Sequence, residues 1–363
     1  MKAAKTAVLS APSPFCLEGI PFTEMLTSPH VRQAPSVQVL MFKVLAALMP
    51  GIALYVWFFG AGILVNIAIA SAAALAGEAA MLAIRGKPVK LFLADGSALV
   101  TAWLLALTFP PVAPWWIPVV GSLFAIVVVK HLYGGVGQNP FNPAMAGFCA
   151  MIVAFPALMS QWPPVGLDFA VQLKLILGGE RAVDAISSAT PLDTLRTALR
   201  SVGSGATVPS VLATHPVFGT FGGRGWEWIA LGYLAGGLWL LQQRVMTWHV
   251  PVAFIVTLTA VAGVFHLADP HGFAPPLFHL GAGGALLGAF FIATDPVSGA
   301  TTPRGKLIYA AGIALISYMI RAFGAYPDGV AFAVLLMNIC VPLIDMSTQP
   351  PVFGHKSGRS KTS

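Results

Sequence analysis

Long apolar runs, separated by short connectors that hold most of the basic residues, dominate the chain. A bilayer core of about 30 Å is crossed by roughly 20 apolar residues in a helix, and by fewer where the helix is broken. On that criterion ten spans are predicted, over 39–59, 62–84, 91–109, 115–129, 143–159, 226–241, 251–267, 277–292, 307–320 and 329–346. They divide the chain into an N-terminal segment (1–38), five helices (39–159), a long loop (160–225), five more helices (226–346) and a tail (347–363). The predicted fold is an all-α polytopic membrane protein.

Lysine and arginine resist translocation, so short connectors rich in them stay inside. Arg85, Lys87, Lys90, Lys130, Arg244, Arg304 and Lys306 fall on one side of the ten-span pattern together with the basic residues of both termini. The short connectors opposite keep only Arg321. Both termini are therefore predicted to be cytoplasmic and 160–225 extracytoplasmic. The basic residues of that loop do not oppose this, because long loops cross largely regardless of charge.

The segment from Leu91-Phe92 to Thr108-Phe109-Pro110 resembles that from Leu277-Phe278 to Thr294-Asp295-Pro296 at a constant offset, five spans apart. An odd number of spans per repeat inverts the second copy, which predicts two inverted five-helix repeats with broken third helices. Chance similarity between two apolar helices is the competing reading.

Composition sharpens the class. The 363 residues are 57% hydrophobic and 9% charged, against about a quarter charged in a soluble globular chain. The net charge of +7 is topological information, since no basic patch with interleaved aromatics suggests nucleic acid. Cys16, Cys149 and Cys340 form no CxxC pair, so three free thiols are expected and neither zinc nor an iron–sulfur cluster. No removable signal peptide is expected. There is no GxxxxGK[ST] and no H-E-x-x-H; His131, His249 and His271 stand beside span ends and read as interfacial side chains.

The long loop contains Asp184-Ala185-Ile186-Ser187-Ser188-Ala189-Thr190-Pro191. Ser187, Ser188 and Thr190 suit a cap for the helix that Pro191 begins. The same residues are similar to the D-x-x-(S/T)-G-A-T signature at which a flavin transferase joins FMN, through its phosphate, to the last threonine. That residue is Thr190; Asp184, Ser187, Ser188 and Ala189 complete the motif, with Ser188 replacing the usual glycine. Ser298-Gly299-Ala300-Thr301 is a second match. Arg304 and Lys306 hold it on the cytoplasmic side, out of reach of an extracytoplasmic transferase, so Thr190 is the expected attachment residue.

Lys130 to Pro143 (KHLYGGVGQNPFNP), Trp226 to Gly237 (WEWIALGYLAGG), Trp248-His249-Val250-Pro251 and Thr294-Asp295-Pro296 resemble the membrane subunit family that includes RnfD and NqrB. The modest length, without a long N-terminal extension, is closer to the RnfD branch. The resemblance implies a subunit of the bacterial inner membrane in a complex moving electrons between ferredoxin and NAD, coupled to sodium or proton translocation. It also implies covalent FMN at Thr190, room for noncovalent riboflavin, and partners that include a second covalent flavoprotein subunit and iron–sulfur subunits. The residues 134–143 read either as a helix start facing a cofactor edge or as a capped turn.

Ionisable groups in hydrocarbon are costly and mark function by default. Lys43 and Glu78 have matching depths in the first two spans, which predicts that they pair unless both reach the headgroups. Glu78 and Asp95 are candidates for ion coupling, with Lys43 as the partner charge. Asn66 is expected to hydrogen-bond a neighbouring helix. The rival function is a small-solute channel or secondary transporter, and a third is a scaffold for partner subunits. Neither has a use for the motif at Thr190.

Overall fold

The computed structural model describes residues 36–133, 137–179, 188–201, 205–326 and 328–349. The first helices are α1 (Val37–Phe59), α2 (Gly62–Ile84), α3 (Val89–Leu93), α4 (Ser97–Thr108) and α5 (Trp116–Leu123), which runs on as a π-helix over Phe124–Leu132. They are followed by α6 (Pro143–Ala154) and α7 (Pro156–Met159). The long loop carries α8 (Phe169–Ile176), α9 (Pro191–Arg200) and α10 (Val208–Thr214). Beyond it come α11 (Trp226–Gln242), α12 (His249–Ala268), α13 (Pro276–Gly281), α14 (Ala285–Leu287) with a π-helical extension over Gly288–Ile292, α15 (Pro303–Phe323) and α16 (Val330–Thr348). Among the described residues, extended pairing is limited to two isolated bridges, Trp162 with Ser188 and Phe218 with Gly223. The chain is an all-α polytopic membrane protein.

Among these helices, α1, α2, α12, α15 and α16 are each long and apolar enough to cross a bilayer. The other expected spans fall on shorter or interrupted helices, and the reason is local. In the third span, Asp95 ends the apolar run: its Oδ1 accepts from Ser97 N at 2.7 Å across Gly96, whose φ of +78° turns the chain into α4. In the eighth, Ala282, Gly283 and Gly284 separate α13 from α14. The expected breaks in the third helix of each set are both present.

The second set of helices repeats the pairings of the first. The leading helices α1 and α11 pack together, α2 packs on α4 and α5, and α12 packs on α13 and α15. The closing helices α6 and α16 meet. The α1–α11 approach is close because Gly232 and Gly236 stand one turn apart on α11; a Cβ on Gly232 would lie 2.8 Å from Gly51 Cα, and one on Gly236 would collide with the Ala47 carbonyl. A second, smaller apolar cluster joins Leu192 and Leu195 of α9 to Val208 and Val211 of α10 and to Ala274, Phe278 and Ala282.

Candidate functional site

Asp184 and Ser187 lie outside the described residues, whereas Ser188, Ala189 and Thr190 form the approach to α9. Thr190 is its N-cap: Oγ1 accepts from Asp193 N at 3.2 Å, and Pro191 occupies the first helical position, where its missing N–H costs nothing. The capping role is thus real. It leaves the hydroxyl hydrogen of Thr190 without an acceptor among the described residues. Ser188 N donates to Trp162 O at 2.6 Å, and the Trp162 ring meets Trp226 edge-on at 5.0 Å, with Phe59 and Tyr55 beyond. An aromatic cluster therefore anchors Ser188, two residues before Thr190.

Helix α9 is docked along its length. Its apolar side enters the small cluster around Phe278. On its other side Arg196 pairs with Asp193 at 2.9 Å and donates to Ala325 O, while Arg200 donates to Ala322 O at 3.4 Å. These cations meet the carbonyls at the C-terminal end of α15, the negative end of that helix. An open cavity of about 630 Å³ runs between α9 and α10, starting at Ala189 and Asp193.

Thr301 is held differently. Its N–H donates to Asp345 Oδ1 at 3.0 Å and its hydroxyl donates to Asp345 Oδ2 at 2.9 Å. The upstream residues of its S-G-A-T form a turn closed by Asp295, whose Oδ2 accepts from Ser298 Oγ at 2.6 Å. This hydroxyl is spent on a structural bond.

The charged residues assemble in an unexpected way. The expected Lys43–Glu78 pair does not form: Lys43 Nζ is exposed and donates to Gln243 Oε1 at 3.1 Å. Glu78 instead receives Lys130 Nζ at 2.6 Å, with side-chain exposures of 0% and 6%. Far from being a free connector charge, Lys130 lies on the π-helical turn and its side chain folds back onto α2. The same Nζ donates to Ser97 Oγ at 2.9 Å, which donates to Asp95 Oδ1 at 2.6 Å. Glu78 and Asp95 are thus joined through Lys130 and Ser97, and Lys43 is not part of the cluster. His131, expected to be interfacial, is instead buried, with Nε2 3.9 Å from Glu78 Oε1.

Other polar groups tie the broken segments to their neighbours. Asn66 Nδ2 donates to the carbonyls of Pro110 and Pro111 at 3.2 and 3.1 Å, so its partner is the connector after α4 and not the neighbouring helix expected for it. Asn142 caps α6, accepting from Met145 N, and donates to Ile292 O at 3.2 Å across to the eighth span. The segment before α6 is therefore a capped turn at its described end. Among the described residues no cluster of three metal-ligating side chains occurs. Cys149 and Cys340 are free, and Cys16 lies outside the described residues.

The profile of the NQR2, RnfD, RnfE family matches residues 24–354. The chain belongs to this family. It is 50% identical over 335 residues to the D subunit of the ion-translocating oxidoreductase complex of Pseudomonas aeruginosa (strain UCBPP-PA14), covering 91% of this chain and 95% of that one. The corresponding protein of Yersinia pseudotuberculosis (serotype O:1b, strain IP 31758) is 47% identical over 353 residues, covering 92% and 99%. That of Alcanivorax borkumensis is 47% identical over 339 residues, covering 93% and 98%. The family assignment agrees with the resemblance read from the KHLYGGVGQNPFNP and Thr294-Asp295-Pro296 segments.

Proposed function

We propose that this chain acts as the membrane subunit of an ion-translocating oxidoreductase complex and carries FMN joined through its phosphate to Thr190. The first part rests on the relatives named as the D subunit of such a complex, which align over nearly the whole chain. The second rests on one observation: of the two threonines that end a flavinylation-like motif, Thr301 donates its hydroxyl to Asp345, and Thr190 has no such acceptor among the described residues.

The residues around Thr190 suit the group. A phosphodiester on its Oγ1 would stand at the N-terminus of a 10-residue helix, where unpaired N–H groups and the positive end of the helix dipole favour an anion. The nearby acid, Asp193, is already paired with Arg196. The cavity between α9 and α10 opens one turn from the attachment point. When bound, the flavin supplies an electron carrier. The chain's own part is to anchor it at Thr190, to hold the residues just before it through the Ser188–Trp162 bond, and to fix α9 on the end of α15.

In this reading the loop faces the periplasm, the termini face the cytoplasm of a bacterial inner membrane, and electrons pass to or from a second covalent flavoprotein subunit. Iron–sulfur subunits would connect ferredoxin and NAD to it, with sodium or proton translocation coupled to the flow. The Glu78–Lys130–Ser97–Asp95 cluster is the candidate for ion coupling in this chain, since paired charges withdrawn from solvent within a membrane helix are seldom retained without a task. A channel with the same helix arrangement is the rival, because fold does not fix function.

In-gel fluorescence of the denatured protein separates these readings. A fluorescent band is expected for the wild type and for Thr301→Val, and none for Thr190→Val. A band of full intensity in Thr190→Val would overturn the assignment.

A further inference from the structure

The break in the eighth span is built around two residues that the functional reading does not use. Arg321, in the last turn of α15, is 5% exposed. Its Nη1 donates to His279 O at 2.7 Å, on α13 before the break. Its Nε and Nη2 donate to Asp328 Oδ1 at 3.3 and 3.1 Å. Asp328 in turn accepts from Gly284 N, after the break, at 2.8 Å through Oδ2, and from Val330 N at 3.2 Å through Oδ1. One guanidinium and one carboxylate thus fix both edges of the gap between α13 and α14. A planar fork and charge-assisted bonds suit that task, which a lysine performs less well.

Helix α9 rests on this gap. Gly283 has φ +70°, a conformation that side chains disfavour, and a Cβ there would lie 2.7 Å from both Leu192 Cδ1 and Asp328 Oδ2. Leu192 is two residues beyond Thr190 and is buried against Ala282 and Phe278. The far end of α9 is held by Arg196 and Arg200 on carbonyls at the end of α15, the helix that carries Arg321. Both ends of α9 therefore refer to the same rigid corner.

We propose that Arg321 and Asp328 are positioning residues for Thr190: they set the shape of the break, and Leu192 transmits that shape to the N-cap. This rests on the reading of Thr190 as the flavin carrier. Neither residue touches the attachment point, and their effect passes through Gly283, Gly284 and Leu192. The chemistry needed at Thr190 is a fixed distance and orientation toward a redox partner, and a helix docked at both ends provides it.

The test uses the assembled complex with Arg321→Lys, Leu192→Ala and Leu192→Met, each also in a Thr190→Val background. Hydrogen exchange across Pro191–Arg200 is expected to rise at least about tenfold in Arg321→Lys, which loses charge-assisted bonds, and in Leu192→Ala, which loses a buried side chain. Exchange in α1 and α2 should stay at the wild-type level. The reduction potential of the bound flavin is expected to move in Arg321→Lys and to remain unchanged in Leu192→Met, which keeps the contact. Unchanged exchange of α9 in assembled Arg321→Lys, a rise spread equally over all helices, or an unmoved potential would overturn the proposal. If Arg321→Lys does not assemble, Leu192→Ala carries the test, and unchanged α9 exchange there is equally fatal. Flavin persisting in the Thr190→Val background would refute the attachment reading alone, and the exchange result would then still decide the positioning role.

Discussion

Lys130 Nζ lies 2.6 Å from Glu78 Oε1, and the two side chains are almost wholly withdrawn from solvent. Removing one partner of a buried pair strands the other charge, at a cost of about 3–5 kcal/mol, whereas removing both is often neutral. Lys130→Met and Glu78→Gln are each expected to lower the thermal unfolding temperature of the purified complex sharply. The double variant should recover most of the loss. Additive losses in the double variant would show that the pair does not act as a unit.

Lys43 is expected to be nearly silent. Its exposed ammonium donates to Gln243, and surface substitutions of this kind change stability by no more than about 0.5 kcal/mol. Lys43→Ala should leave both the unfolding temperature and ion transport in proteoliposomes at wild-type values. A transport defect comparable with that of Glu78→Gln would return Lys43 to the ion path.

Asp345 closes the turn that holds Thr301, accepting from its backbone N–H and its hydroxyl. Asp345→Ala leaves these donors without their acceptor, for a loss of about 1–3 kcal/mol. Hydrogen exchange should increase across Ser298–Thr302, with no flavin gained at Thr301. Flavin appearing there would mean that hydroxyl availability alone, and not the side of the membrane, selects the acceptor.

Much of the helix pattern is legible in the sequence because it depends on contiguous composition. The span 62–84 is reproduced at both ends by α2, since a run whose one charged residue is Glu78 is bounded by Gly60-Ala61 and by Arg85-Gly86. For the span 91–109 the repeat predicts a break but hydropathy does not place it, because one aspartate hardly lowers the average of so long a run; the structure puts it at Asp95 and Gly96, where Asp95 accepts from Ser97 N and Gly96 takes a φ of +78°. Partner choice is harder. Lys43 and Lys130 are both near the depth of Glu78, and what selects Lys130 is the packing of α2 against the π-helical turn after α5, a non-local contact.

The site shows the same division. The cap at Thr190 follows from the Thr-Pro step and forms as expected. The Trp162 carbonyl that receives Ser188 N, and the Arg321–Asp328 pair beneath Leu192, come from segments distant in the chain and carry no local signature. The available hint is that Arg321 is the one basic residue in the short connectors that the ten-span pattern predicts to lie opposite the lysine- and arginine-rich ones.

Attachment of the flavin at Thr190 is decided by proteolysis of the purified chain and mass measurement of the peptide that spans Ser188 to Arg196. This peptide is predicted to be heavier than its sequence by one FMN less one water, with fragmentation locating the increment on Thr190. An unmodified Thr190 peptide recovered in full yield from fully assembled complex would contradict the assignment.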